Sequence, residues 1–190
     1  MNDPLIAEVL AEVVPTLEAE GIEYAVTGSV ASSIYGEPAA SFDVDIIVRM
    51  TPEQARRIAQ RFPSRFYRDA EAIAEAAVSH GMTNLIDMKT GLKVDLSVMP
   101  AGAWRDDILR RRSLMRSEPH SRTFYIVSPE DIILMKLDWR RDSGSHKQWD
   151  NALSVARTLG ARLDWGYLHA QASNLGLSSD LDRLRREAMG

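Results

Sequence analysis

The chain has 190 residues, which suits one domain or a domain with a helical appendage, and its 45% hydrophobic content is ordinary for a globular protein. With 23 basic and 27 acidic residues the formal net charge is −4, which excludes a uniformly basic nucleic-acid-binding surface but leaves room for local basic patches. There is no cysteine, so disulfides and thiolate metal sites are excluded, and a cytoplasmic location is expected.

Neither export nor membrane insertion is expected. The opening Met-Asn-Asp-Pro lacks the basic and apolar segments of a signal peptide. No apolar run approaches the roughly 20 residues that a membrane span needs. The scattered histidines His80, His120, His146 and His169 do not have the spacing of a zinc site, and we expect them on the surface.

Strand and helix patterns alternate through the first two thirds of the chain. The predicted elements, in order, are a helix over 3–20, a strand over 24–27, a helix over 29–35, a strand over 42–49, a helix over 51–62, an edge strand at 66–67, a helix over 69–80, strands over 83–88 and 92–98, a helix over 103–115 and a strand over 123–127. Asp3, Thr51 and Asp69 precede helices and have side chains that can cap them.

After residue 128 the pattern is helical only. Ser128-Pro129-Glu130-Asp131 is a strong helix start, and the predicted helices cover 129–140, 146–159, 164–174 and 178–188. The sequence therefore predicts an α+β fold, with a mixed β-sheet flanked by helices in residues 1–127 and a C-terminal helical bundle in residues 128–190.

Two acids interrupt the most apolar predicted strand, Ser41-Phe42-Asp43-Val44-Asp45-Ile46-Ile47-Val48. Side chains alternate between the faces of a strand, so Asp43 and Asp45 share one face. Burying two unpaired carboxylates costs several kcal/mol, whereas a divalent cation such as Mg²⁺ stabilises both. The alternative is a strand end at which the two acids lie in solvent or cap a turn.

A third acid, Asp95, lies in the predicted strand over 92–98 and could join the pair if its strand is a neighbour in the sheet. Three carboxylates on adjacent strands can hold two Mg²⁺ ions, which activate an attacking oxygen and stabilise a leaving phosphate. Asp87 is a weaker candidate because it lies near a polar turn.

Gly28-Ser29 falls between a predicted strand and a predicted helix. A glycine lets the backbone approach a ligand closely, and the free amides at a helix start favour an anion such as a phosphate. The alternative is an ordinary turn in which Ser29 caps the helix.

Together these motifs resemble a known signature. Val26-Thr27-Gly28-Ser29, then Asp43-Val44-Asp45 and later Val94-Asp95-Leu96 are similar to the pattern of the DNA polymerase β-like nucleotidyltransferase superfamily. The whole chain resembles its minimal bacterial group near the AbiEii-type toxins of abortive-infection and toxin–antitoxin systems. The stretches that carry this closer resemblance are 35–43, 128–136 and 146–150.

The resemblance implies a role for each matching residue. Gly28 and Ser29 would bind nucleotide phosphates, and Asp43, Asp45 and Asp95 would be both the catalytic and the metal-binding residues, with two Mg²⁺ ions. Two further nucleotide-binding residues would be Lys136 and Asp150. Read without the resemblance, Lys136 lies on a mostly apolar helix stripe and could also reach the surface, and Asp150 could simply pair with an arginine. One departure is Ala39, at a position where the group often has arginine.

The expected activity is Mg²⁺-dependent transfer of a nucleoside monophosphate from an NTP to an acceptor hydroxyl, with release of pyrophosphate. The resemblance favours RNA, such as a tRNA end, or a protein as acceptor, and a cognate antitoxin as partner. The alternatives are a small-molecule nucleotidyltransferase of the aminoglycoside or lincosamide type, and a module that binds a nucleotide or partner without turnover. Arginines at 110–112, 116, 122, 140 and 141 and Lys147 could form a basic face for RNA or an acidic partner, or be ordinary solvated helix faces.

Overall fold

The structure of the chain, a computed structural model, describes residues 3–117 and 122–190, so His120 lies outside the described residues. The chain divides into two units. One contains the residues up to Thr27 together with Ser41–Ile126, and the other contains Gly28–Ala40 together with Val127–Gly190. The division that the sequence predicted at residue 128 stays a prediction.

A mixed β-sheet occupies the first unit. Its strands are β1 (Glu23–Val26), β2 (Asp43–Arg49), β3 (Phe66–Arg68), β4 (Met82–Asp87), β5 (Lys93–Val98), β6 (Ser113–Ser117) and β7 (Arg122–Ile126). Their order across the sheet is β3-β4-β5-β2-β1-β7-β6. The pairs β2–β5 and β1–β7 are parallel and the others are antiparallel, so the mixed sheet predicted from the sequence is confirmed.

Helices account for most of the remaining described chain. They are α1 (Pro4–Ala19), α2 (Gly28–Tyr35), α3 (Pro52–Arg61), α4 (Ala70–Ser79), α5 (Ala103–Arg111), α6 (Pro129–Ser143), α7 (His146–Leu159), α8 (Trp165–Leu175) and α9 (Ser178–Met189), with a short 3₁₀ helix at Gly160–Arg162. None of the helices in the described part of the chain combines the length and the apolar character that a membrane span requires.

Helix starts in the first unit follow their capping residues. Asp3 Oδ1 accepts hydrogen bonds from the amides of Leu5 at 2.9 Å and Ile6 at 3.2 Å, which satisfies two of the donors that α1 leaves unpaired. Thr51 and Gln54 exchange hydrogen bonds in a capping box at the start of α3. The sequence placed both helix starts correctly because a cap is a local signal.

The second unit is helical, and α2 packs with α6 and α7 within it. Gly36, just after α2, makes this approach close: a Cβ at this position would lie 2.5 Å from Ser154 Oγ and 2.9 Å from the Val155 amide nitrogen. The Glu37 amide donates a hydrogen bond of 2.6 Å to the same Ser154 hydroxyl. Glycine is therefore required here by packing.

One predicted element is wrong. The sequence predicted a helix over 103–115, but α5 ends at Arg111 and residues Ser113–Ser117 form β6, which pairs antiparallel with β7. The segment Ser113-Leu114-Met115-Arg116-Ser117 has no clear strand alternation, and its pairing partner lies further along the chain. Tertiary pairing decided the conformation of this segment.

Candidate active site

The strands β2 and β5 bring the three predicted acids onto one face of the sheet. In their parallel register Asp45 is the direct partner of Asp95, and Asp43 is the partner of Lys93. Directly opposed residues on neighbouring strands point to the same side, and residues two apart on one strand do so as well. Asp43, Asp45 and Asp95 therefore share a face, as the sequence analysis required.

The face of these strands that points away from the acids is apolar and buried. On the side away from the acids, every central side chain of β2 and β5 is between 0% and 3% exposed: Val44, Ile46, Val48, Val94, Leu96 and Val98. Asp43 and Asp45 are half-buried on the other side. The apolar face fixes the strands in register, because a slip by one residue would bury the acids and expose the core.

Hydrogen bonds hold Asp43 and the backbone of Asp45 in place. The Ser41 hydroxyl donates to Asp43 Oδ1 at 3.0 Å and lies at the same distance from the Asp43 carbonyl oxygen. The Thr27 amide donates to the Asp45 carbonyl at 2.8 Å, which extends the pairing of β1 with β2 to the level of the acids.

Asp95 has one paired and one unpaired oxygen. Its Oδ2 accepts a 2.8 Å ion pair from Lys93 Nζ, and its side chain is 7% exposed. Its Oδ1 is buried without a hydrogen-bond partner among the described residues. A buried carboxylate oxygen is normally satisfied, so this atom is the kind of ligand that a divalent cation would complete.

The donor set suits Mg²⁺, which prefers carboxylate oxygens. Within residues 3–117 and 122–190, however, no group of three or more His, Asp or Glu side chains already stands in an arrangement that could hold a metal ion. Binding a cation among Asp43, Asp45 and Asp95 therefore requires side chains to reorient, starting from the Lys93–Asp95 ion pair.

Lys93 is a member of this cluster that the sequence analysis missed. Its pKa is raised, first by the hydrogen bond to Asp95 and then by the negative charges of Asp95, Asp43 and Asp45, against an opposing effect of burial. The signal in the sequence was its position two residues before Asp95, which places both side chains on one strand face. Its position beside Asp43 depends on the register of β5 with β2, which is a tertiary property.

Asp87, the weaker candidate for the third acid of the site, forms an ion pair. Arg65 holds both of its oxygens, with Nε at 2.8 Å from Oδ1 and Nη2 at 2.5 Å from Oδ2. The Thr90 hydroxyl donates to Oδ2 at 2.6 Å. These hydrogen bonds, that of Arg65 foremost, lower the pKa of Asp87 from 3.8 to about 2. Asp87 is thus a structural residue on the face of the sheet opposite to Asp95.

Gly28 and Ser29 lie in the second unit, at the start of α2. Gly28 is buried and has a φ of 64°, in the left-handed region that favours glycine. The Ser32 hydroxyl lies 3.1 Å from the carbonyl oxygens of both Gly28 and Ser29. The backbone of the Gly-Ser turn is thus fixed from within its own helix.

Lys136 and Asp150 also lie in the second unit, in different environments. Lys136 is 2% exposed, so it does not extend into solvent as the alternative reading allowed, and its Nζ lies 5.3 Å from the centre of the Trp139 ring. Asp150 is exposed on α7, next to the buried Trp149. A buried lysine is costly unless it is compensated.

The basic residues considered for an RNA-binding face largely have partners within their own units. Arg112 stacks on Tyr125, with its guanidinium carbon 4.5 Å from the ring centre, and lies 3.5 Å from Glu23. Arg140 pairs with Asp180 at 3.3 Å and Arg141 with Asp138 at 2.5 Å. These contacts favour structural roles for the three arginines.

Comparison with known proteins yields matches at the level of structure. No model of a known protein family matches the sequence, and neither does any curated protein. An antigenic nucleotidyltransferase-like protein from Paracoccidioides brasiliensis superposes with a TM-score of 0.54 at 17% identity, over 95% of this chain and 92% of that one. This chain has the nucleotidyltransferase fold.

A second solved structure with a similar fold is that of an antibiotic-resistance factor. The antibiotic-resistance factor ANT(2'')-Ia matches with a TM-score of 0.57 at 11% identity, over 95% of this chain and 98% of that one. The two chains thus share a fold over nearly their whole length. The comparison shows the fold that the motifs imply, and it does not show the AbiEii-type group.

Proposed function

We propose that the chain is a Mg²⁺-dependent nucleotidyltransferase that moves a nucleoside monophosphate from an NTP to an acceptor hydroxyl and releases pyrophosphate. The observation that carries the proposal is the pairing of Asp45 with Asp95 on parallel strands, with Asp43 on the same face. The unpaired buried oxygen of Asp95 supports it, because a structural carboxylate would be expected to have its hydrogen bonds completed.

The three carboxylates of the first unit would hold the metal. Asp43 and Asp45, together with Asp95, would hold the two Mg²⁺ ions. When bound, such ions stabilise the charge of the triphosphate and activate the attacking oxygen. Asp95 also accepts the proton of the acceptor hydroxyl, and Lys93 balances the charge of the carboxylates before the metal arrives.

We also propose four nucleotide-binding residues. Gly28 and Ser29 match the superfamily signature, and Lys136 and Asp150 match residues of the minimal bacterial group that the chain resembles. Amides at the start of a helix favour phosphate oxygens, which fits Gly28 and Ser29. Lys136 is 2% exposed, so its ammonium lies inside the second unit rather than in solvent. Catalysis then rests on positioning and charge stabilisation, without a covalent enzyme intermediate.

Two candidate functions differ in the acceptor that receives the nucleoside monophosphate. The motif resemblance favours RNA or a protein, with the chain acting in the cytoplasm as the toxin of a pair with a neighbouring antitoxin. The second candidate is a small-molecule enzyme, since ANT(2'')-Ia, which has a similar fold over 95% of this chain, is an antibiotic-resistance factor. A module that binds a nucleotide without turnover is the remaining alternative.

The test is a transfer assay with each of the four NTPs labelled on the α-phosphate, Mg²⁺, and either total RNA or a panel of hydroxylated antibiotics. We expect label on an acceptor and release of pyrophosphate by the native protein. Asp43→Asn should abolish both while leaving the circular dichroism spectrum and the melting temperature unchanged. Full transfer by the folded Asp43→Asn protein would overturn the assignment. Growth arrest on expression would favour the toxin, and drug resistance would favour the small-molecule enzyme.

A further inference from the structure

The acid-bearing face of the sheet continues beyond Asp95 onto two more strands. In the antiparallel register of β4 with β5, Asn84 is the partner of Asp95 and Ile86 is the partner of Lys93. On the next strand, β3, Tyr67 is the partner of Ile86. Paired residues point to the same side of a sheet, so these side chains lie on the same face as the acids and next to them.

This part of the face is open to solvent, whereas the reverse side of β4 is closed. Tyr67 is 59% exposed, Met82 63% and Ile86 37%, and Asn84 is exposed as well. On the reverse side of β4, Thr83, Leu85 and Asp87 are 6%, 0% and 0% exposed. We call the surface formed by Tyr67, Met82, Asn84 and Ile86 the β3–β4 platform.

The platform begins on the strand next to the one that carries Asp95. Neighbouring strands are about 4.8 Å apart, so Asn84 lies one strand spacing from Asp95, and Tyr67 lies about 10 Å from Lys93. The alternate residues Met82, Asn84 and Ile86 span roughly 13 Å along β4. These dimensions suit a drug-sized molecule that lies on β3 and β4 with one group reaching Asp95.

The charge of this surface disfavours a polyanion. Asp43, Asp45 and Asp95 outweigh the single ammonium of Lys93, and none of the four platform residues is cationic. Two divalent ions would be balanced by the triphosphate that they bind, so the surroundings of the acceptor stay negative. An RNA backbone requires several lysine or arginine contacts to its phosphates, and the platform supplies none.

We infer that the β3–β4 platform binds the acceptor, and that the acceptor is a hydroxylated small molecule, neutral or cationic, with an apolar face. This inference rests on the proposed nucleotidyl transfer and specifies its substrate class. The apolar part of the acceptor packs on Tyr67, Met82 and Ile86. The Asn84 amide bonds a polar group of the acceptor, and the hydroxyl that is modified lies beside Asp95.

Two substitutions in the platform should raise the KM for the acceptor by different amounts. Ile86→Lys removes an apolar contact and adds a positive charge that repels a cationic acceptor, and we expect it to raise the KM for the acceptor at least about tenfold, the effect of one lost apolar contact in a pocket. Asn84→Ala removes a hydrogen bond and should raise the same KM with a smaller change. Neither variant should change NTP affinity, measured by calorimetry with a non-hydrolysable analogue.

Leu114→Lys is the matched control, because Leu114 is an apolar residue, 59% exposed, on β6 at the opposite edge of the sheet. It should leave the KM for the acceptor unchanged. Light scattering of the native protein and the three variants shows whether the platform is instead a contact between two copies of the chain. A dimer that Ile86→Lys converts to monomers would overturn the inference.

The acceptor class is tested by labelling. The native protein is incubated with α-labelled NTP, Mg²⁺ and separate pools of aminoglycosides, lincosamides, tRNA and lysate protein. Label in a small-molecule pool, strongly reduced with Ile86→Lys and retained with Leu114→Lys, is the expected result. Label on RNA or protein alone would overturn the inference and leave the transferase proposal standing. Absence of label in every pool, with no pyrophosphate released, would overturn both.

Discussion

Two aspartates on neighbouring strands, Asp87 on β4 and Asp95 on β5, have almost the same burial and opposite environments. The Asp87 side chain is 0% exposed and is held by Arg65 and Thr90, and the Asp95 side chain is 7% exposed and has Lys93 as its ion-pair partner. One oxygen of Asp95 is buried without a partner in the described structure.

The difference separates a carboxylate that stabilises the fold from one that is held ready for a ligand. A buried acid whose hydrogen bonds are complete has nothing to offer to a cation, whereas an incomplete one costs free energy until something binds. We therefore predict that substitution of Asp87 lowers the stability of the protein, whereas substitution of Asp95 impairs its function.

The largest expected effect is on transfer. Asp45→Asn removes one charge from the acid cluster beside Asp95, and the rate should fall at least about a thousandfold, or about 4 kcal/mol in activation free energy. Stability should change little, since Asp45 is half-buried on the open face. Single-turnover kinetics measure the transfer rate and thermal melting measures the stability, both on one sample. An Asp45→Asn protein that retains a tenth of the native rate would contradict the prediction.

The next effect is on folding. Asp87→Ala leaves Arg65 without its main partner, and the free energy of unfolding should fall by about 3 kcal/mol, the usual cost of removing one member of a buried pair. The matched variant Asp95→Ala should cost much less, because it also removes an unpaired buried oxygen. Urea unfolding compares the two. Equal losses would mean that Asp95 is as structural as Asp87.

A smaller effect is the response of stability to acid. The pKa of Asp87 is lowered in the folded protein from 3.8 to about 2, so its contribution to stability is present above pH 3.8 and is lost as the pH falls towards 2. That contribution is roughly 2 kcal/mol. Unfolding measured between pH 5 and pH 2 should show this loss in the native protein and a flatter profile in Asp87→Asn, and parallel profiles would argue against the ion pair.

The smallest effect concerns Lys93. Lys93→Met removes the cation that now occupies Asp95, and Mn²⁺ binding to the nucleotide-free protein should tighten a few-fold, because the Lys93 side chain is partly exposed and its charge is screened. Lys93→Arg, which keeps the charge, is the control. Electron paramagnetic resonance of free Mn²⁺ measures the binding, and a weaker affinity in Lys93→Met would show that the lysine assists the metal.

Much of the fold could be predicted because its signals are local. The caps at Asp3 and Thr51 fix helix starts, and the alternation around Asp43 and Asp45 fixes a strand and the face that carries the acids. The segment Ser113–Ser117 was misread as helix because only its pairing with β7 makes it a strand. Its local sequence continues the pattern of α5.

In the candidate site, too, local features could be predicted and tertiary contacts could not. The shared face of Asp43 and Asp45 follows from the period of a strand, and the position of Asp95 beside them was inferred correctly from the motif. The participation of Lys93 and the pairing of Asp87 with Arg65, 22 residues away in sequence, depend on register and tertiary contact. Neither can be read from spacing along the chain.

The central claim, that Asp43, Asp45 and Asp95 together bind divalent cations, is tested most directly by titrating Mn²⁺ into the native protein, Asp95→Asn and Asp106→Asn in a calorimeter. Asp106 is a half-exposed acid on α5 that pairs with Arg49, away from the cluster. We predict that Asp95→Asn weakens Mn²⁺ binding at least about tenfold and that Asp106→Asn binds as the native protein does. Equal affinities in all three proteins would contradict the account.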